Sequence, residues 1–93
     1  MPFVFVIPGA LRELAGNRAE LRVDGRAGSV GEALALLWTA CPALRDRIVT
    51  ERGEIRPHIS VFVNGEDMRF LGGLGAPVPD GAEIYLLPAL SGG

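Results

Sequence analysis

FVFVIP, Phe3 to Pro8, is an unbroken run of aromatic and β-branched side chains closed by Pro8-Gly9. It lacks the polar alternation of a strand with one wet face, so it predicts a strand buried on both faces or nearly so. EIYLL, Glu83 to Leu87, has the same character at the far end of the chain, and Pro88 follows it. Strands of this kind take central positions in a sheet. The first and last strands are therefore expected side by side.

Working inward, Glu20 to Val23 alternates polar and apolar before an Asp24-Gly25 turn, which suits an outer strand hairpinned to the first across Gly16-Asn17. Ser29 followed by Glu32 forms a capping box, and behind it Val30, Leu34, Leu37, Trp38 and Cys41 recur at helical spacing. The helix stops before Pro42, because a residue preceding proline resists the α region. A weaker helical turn is expected over Ala43 to Val49, and an exposed loop over Thr50 to Pro57. Ile59 to Val63 is a strand, Asn64-Gly65 a tight turn, and Met68 to Phe70 a short returning strand. The expected architecture is α+β, a mixed sheet of four to five strands with one main helix across one face. That order is a ubiquitin-like β-grasp. The domain is expected to span residues 1–87, with 88–93 as a flexible C-terminal tail ending in Gly-Gly.

The chain has 93 residues, 48% of them apolar and 22% charged, which favours one globular domain over disorder. A formal charge of −2 and scattered arginines give no footprint for nucleic acid. Cys41 is the lone cysteine, so neither an internal disulfide nor a multi-thiolate metal site can form, and its place on the helix stripe reads as a core thiol. No apolar run approaches the roughly 20 residues that span a bilayer. FVFVIP is preceded by no basic region and followed by no cleavage pattern, so a cytoplasmic protein is expected.

Strand parity raises a difficulty that composition does not. Phe3, Phe5, Ile7, Val61, Val63, Ile84 and Leu86 share one face, which Leu34, Leu37 and Trp38 would cover. Val4, Val6, Phe62, Tyr85 and Leu87 point the other way and are also apolar. One helix covers one face only. The second face therefore reads as a docking surface for a protein partner, with a loop cover or a second copy as the alternatives.

Three stretches together resemble the MoaD/ThiS family of ubiquitin-like sulfur carriers. LRELAG (Leu11 to Gly16) is similar to the family's first loop, VFVNGE (Val61 to Glu66) to its third strand and turn, and PVPDGAEIYLLPALSGG (Pro77 to Gly93) to its closing stretch. NGEDMRFLGGL (Asn64 to Leu74) with the charged insert ERGEIRPH (Glu51 to His58) looks most like the carriers of cysteine biosynthesis, the CysO type. The resemblance implies that the Gly93 carboxylate is adenylated by an E1-like adenylyltransferase using ATP and converted to a thiocarboxylate that donates sulfur. It implies no bound cofactor, and catalytic groups lying on partners: a pyridoxal-phosphate cysteine synthase, or the large subunit of molybdopterin synthase. The small subunit of molybdopterin synthase in molybdenum cofactor biosynthesis, carriage for tRNA thiolation or thiamin, a ubiquitin-like protein modifier and a non-catalytic β-grasp adaptor are the other readings.

The residue types suit that chemistry. A carboxylate is a poor electrophile, and adenylation supplies it with a leaving group. Gly92 and Gly93 lack a Cβ and can thread a narrow channel, and the six residues after Leu87 reach at most about 20 Å when extended. Pro88 and Leu90 join Val4, Val6, Phe62, Tyr85 and Leu87 as expected partner contacts at the root of this arm. All nine basic residues are arginine, so the chain offers an activated C-terminus no lysine of its own. His58 reads as a loop histidine, and Glu66 and Asp67 as turn and solvent residues. No nucleophile with an adjacent base and no phosphate-binding glycine loop is present.

Overall fold

The computed structural model describes residues 2–88. Leu90, Gly92 and Gly93 lie outside the described residues. The elements are β1 (Phe3–Val6), β2 (Glu20–Val23), α1 (Val30–Ala40), α2 (Arg45–Ile48), β3 (Ile59–Val63), β4 (Glu66–Asp67) and β5 (Glu83–Pro88). They form a five-stranded mixed sheet in the order β2-β1-β5-β3-β4. β1 and β5 are parallel neighbours at its centre, and β2, β3 and β4 pair antiparallel to their partners. The fold is a ubiquitin-like β-grasp, with the doubly apolar strands placed side by side as their sequence predicts.

The core follows the period of two along each strand. Phe3, Phe5, Ile7, Val61, Val63, Ile84 and Leu86 are all buried, and α1 lays Val30, Ala33, Leu34 and Leu37 over them. Trp38 packs against this core as expected, although it is only half-buried. It sits one residue past Leu37, about 100° further round the helix, which carries it to the edge of the apolar stripe. Cys41 is likewise half-buried rather than core, and its thiol donates to the Leu14 carbonyl at 3.1 Å.

Local chemistry fixes the ends of the elements. The Ser29 hydroxyl accepts from the Glu32 amide at 3.2 Å, and the Glu32 carboxylate accepts from the Gly28 amide at 2.9 Å, one residue earlier than in the usual capping box. Gly25 passes so close to α1 that a Cβ there would meet Leu36 at 2.7 Å, and its φ of +151° also favours glycine. Asn64 and Gly65 have φ of 49° and 89°, the pair of positive values that lets a two-residue turn match the twist of β3 and β4.

Past that turn the structure departs from the sequence reading. The returning strand is Glu66–Asp67, and Met68–Phe70 is a 3-10 turn. Asp67 causes the change, since its carboxylate accepts from the Arg69 amide at 2.9 Å and closes the turn before the ladder can extend. Asp67 is also buried, not the solvent residue expected. The segment after α2 is less open than predicted, since Val49 and Ile55 form an isolated antiparallel bridge and Ile55 packs against the core. β5 takes in Pro88, opposite Ile59, one residue beyond its expected end.

Candidate functional site

A single line of register crosses the whole sheet on the side away from α1. Glu20 on β2 stands opposite Val6 on β1, Val6 opposite Tyr85 on β5, Tyr85 opposite Phe62 on β3, and Phe62 opposite Asp67 on β4. The row thus has three apolar side chains at its centre and a carboxylate at each end. A second row places Arg22 and Glu83 on either side of Val4, and a third sets Leu87 opposite Ser60. Directly paired residues have Cβ atoms about 5 Å apart, so these side chains form one continuous surface.

Val4, Val6, Phe62, Tyr85 and Pro88 are half-buried, and Leu87 is 41% exposed. Their inward neighbours Phe5, Val61 and Ile84 are at most 1% exposed, so the contrast is set by face and not by position along the strand. Phe62, Tyr85 and Leu87, with Asn64, Gly65 and Glu83, border a shallow hollow of 530 Å³. The residues read from parity as a docking surface are therefore gathered on one face that no element of the fold covers among the described residues. β5 carries Tyr85 and Leu87 of that face, whereas Pro88, expected there as a partner contact, pairs with the core residue Ile59 and so falls on the other parity, and the strand ends where residues 89–93 begin.

The polar rim is tuned by the same register. Hydrogen bonding to the Glu83 carboxylate, then the charges of Glu83 and Glu20 together with burial, raises the Tyr85 phenol above its ordinary value. The hydroxyl is thus a protonated donor at neutral pH. This contact was not read from the sequence, and the signal that could have found it is that Glu83 and Tyr85 are two apart on one strand. At the other end Asp67 is gripped by Arg69, whose Nη2 and Nε reach its two carboxylate oxygens at 2.7 and 3.2 Å. The Arg69 side chain and amide hold the carboxyl below the usual range against the opposing effect of burial. This pair escaped the sequence reading, and the signal was an aspartate directly after a tight turn with an arginine two positions on. His58 is exposed, as expected of a loop histidine. Among the described residues no three His, Cys, Asp or Glu side chains gather as a metal site would require, and no helix is long and apolar enough to cross a membrane.

A ThiS family model matches residues 5–93. The chain belongs to the ThiS family. This ThiS-family chain is 43% identical over 84 residues to small archaeal modifier protein 1 of Haloferax volcanii, covering 89% of the chain and 91% of that protein. It is 29% identical over 89 residues to the sulfur carrier protein CysO of Mycobacterium tuberculosis, covering 94% of each. Its structure superposes on a chain of the Amycolatopsis orientalis BexX/CysO complex with a TM-score of 0.85 and 34% identity, over 98% of this chain and 99% of that one. These are small ubiquitin-like carriers and modifiers, the class that the sequence resemblance implied.

Proposed function

We propose that the chain is a sulfur carrier, not an enzyme by itself, whose Gly93 carboxylate is the working group. The carboxylate attacks the α-phosphorus of ATP on an E1-like adenylyltransferase, releasing pyrophosphate and leaving an acyl-adenylate. Hydrosulfide then adds to the acyl carbon and AMP departs, giving the thiocarboxylate that a second partner consumes. The observation that carries this reading is the uncovered Val6–Tyr85–Phe62 row on strands that flank and include β5. A partner that docks this face also receives the chain leading into Gly92 and Gly93. We assign the delivered sulfur to cysteine formation on a pyridoxal-phosphate synthase, a reading supported by likeness to CysO in sequence and structure. The site of action on this reading is the cytoplasm.

The second reading is a protein modifier that joins Gly93 to a lysine of another protein, and 43% identity to a small archaeal modifier favours it. Both readings share the adenylation step and divide at the nucleophile. Incubation with ATP, an E1-like adenylyltransferase and sulfide, followed by intact mass measurement, tests the shared step. Replacement of one oxygen by one sulfur is expected in the native chain and not in a chain lacking Gly93. An unchanged mass for both would falsify sulfur carriage. The product, offered to a pyridoxal-phosphate cysteine synthase or to lysine-bearing proteins, then separates cysteine release from isopeptide formation.

A further inference from the structure

The Phe70 side chain is 86% exposed, twice as open as Leu87, and nothing in the proposed function uses it. A lone exposed apolar residue is ordinary on a protein surface. What sets this one apart is the hollow beside it. Arg69 and Met68, directly before Phe70 in the chain, line a depression of 280 Å³ whose other apolar walls include Ile55, Pro57, Ile59 and Leu74. A cavity of about 150 Å³ is enough to hold benzene, so this one has room for a phenylalanine ring. The Phe70 ring does not occupy the hollow of its own chain, because its exposure leaves almost no surface in contact.

The rim of the hollow is charged but balanced. Arg69 is paired with Asp67 at 2.7 Å, Arg56 donates to the Asp46 carbonyl at 2.9 Å, and Glu54 also lines the hollow. An identical patch would meet no excess of like charge. The edge is also open along the backbone, since β4 pairs only with Phe62 and Val63 and, among the described residues, no strand flanks Ile59, Ser60 or Val61 on that side.

We propose that two copies of the chain associate through this edge, the Phe70 of each seated in the hollow of the other. A projection and a cavity on one patch suit a two-fold contact, in which each copy gives and receives the same ring. A partner supplying only one of the two would leave the other in water. The contact does not use Val6, Tyr85 or Phe62, so the apolar centre of the docking face stays free, and only Asp67 at the end of that row borders the hollow.

Sedimentation equilibrium of the full chain from about 10 µM to about 2 mM tests this, since a small contact of this type is weak. The weight-average mass is expected to rise toward twice the monomer mass. Phe70→Ser is expected to stay monomeric throughout with unchanged circular dichroism, whereas Tyr85→Arg on the other face associates like the native chain. A monomeric native chain at every concentration, undiminished association of Phe70→Ser, or loss of association in Tyr85→Arg overturns the proposal. The measurement needs no ATP or activating enzyme, so its outcome is independent of sulfur carriage.

Discussion

Phe62 and Tyr85 stand directly opposite each other across the β3–β5 pair, on the face that α1 does not cover. A few residues near the centre of a protein interface carry most of its binding energy, and large aromatics such as tyrosine are prominent among them. On the proposed function, Phe62→Ala is therefore expected to weaken binding to the E1-like adenylyltransferase roughly tenfold or more. Because the ring is only half-buried, the cost in folding stability should be about 1–2 kcal/mol, leaving the domain folded. Titration calorimetry with the adenylyltransferase, paired with a urea melt, checks both. Unaltered affinity in a folded variant would remove Phe62 from the interface.

The phenol beside it gives a spectroscopic handle. Tyr85 is the one tyrosine, and the Glu83 carboxylate is the first cause of its raised pKa. Ultraviolet titration of the native chain should show ionisation above the ordinary value of about 10, and Glu83→Gln should bring it back toward that value. The hydroxyl stays protonated through the physiological range in both, so partner binding that uses it as a donor should be flat between about pH 6 and 8. A phenol that titrates identically in the two proteins would place Glu83 away from it.

At the far end of the same row, Asp67 faces an acid test. Its folded-state pKa is depressed by Arg69, so the stability it contributes is complete above the unfolded carboxylate value of about 3.9. That stability is lost as pH falls through the lower folded value. Arg69 is 66% exposed, which screens the pair and keeps its contribution small. Asp67→Asn is expected to lower Tm by about 2–4 °C at pH 7, with the gap from the native chain closing below about pH 4 and narrowing in high salt. Calorimetry across pH reads this directly, and a gap that does not change with pH would mean that the charge of the carboxylate is not its source.

Most of the fold was legible because two periods wrote it. The alternation in Phe3, Phe5 and Ile7 and in Ile84 and Leu86 set which face is core, and the doubly apolar runs set which strands are central. The uncovered face was legible for the same reason, as a surplus of apolar residues over what one helix can hide. What did not show was settled by side chains competing with the backbone. Asp67 could have extended a strand or closed a 3-10 turn, and its bond to the Arg69 amide chose the turn. That choice also carried Phe70 out of the ladder into water, so its exposure could not be read from residue type. Trp38 does pack against the core, but from the edge of the stripe, because a list of apolar positions does not say where the stripe ends.

If Gly93 is the working group, its carboxylate must be free and must be last. The E1-like enzyme has to bring an oxygen of that carboxylate onto the α-phosphorus of ATP, and a further peptide bond would convert this oxygen into an unreactive amide carbonyl. A single alanine appended after Gly93 is therefore expected to abolish the mass change from oxygen to sulfur, while urea midpoint and circular dichroism stay at native values. Deleting Gly93 should do the same, because the carboxylate then falls one residue short, about 3.5 Å, of the position it must occupy. Affinity for the adenylyltransferase should fall far less than turnover in both variants, since the Val6–Tyr85–Phe62 row remains in place. Binding lost in step with turnover would instead mean that the tail, not the sheet face, supplies most of the recognition.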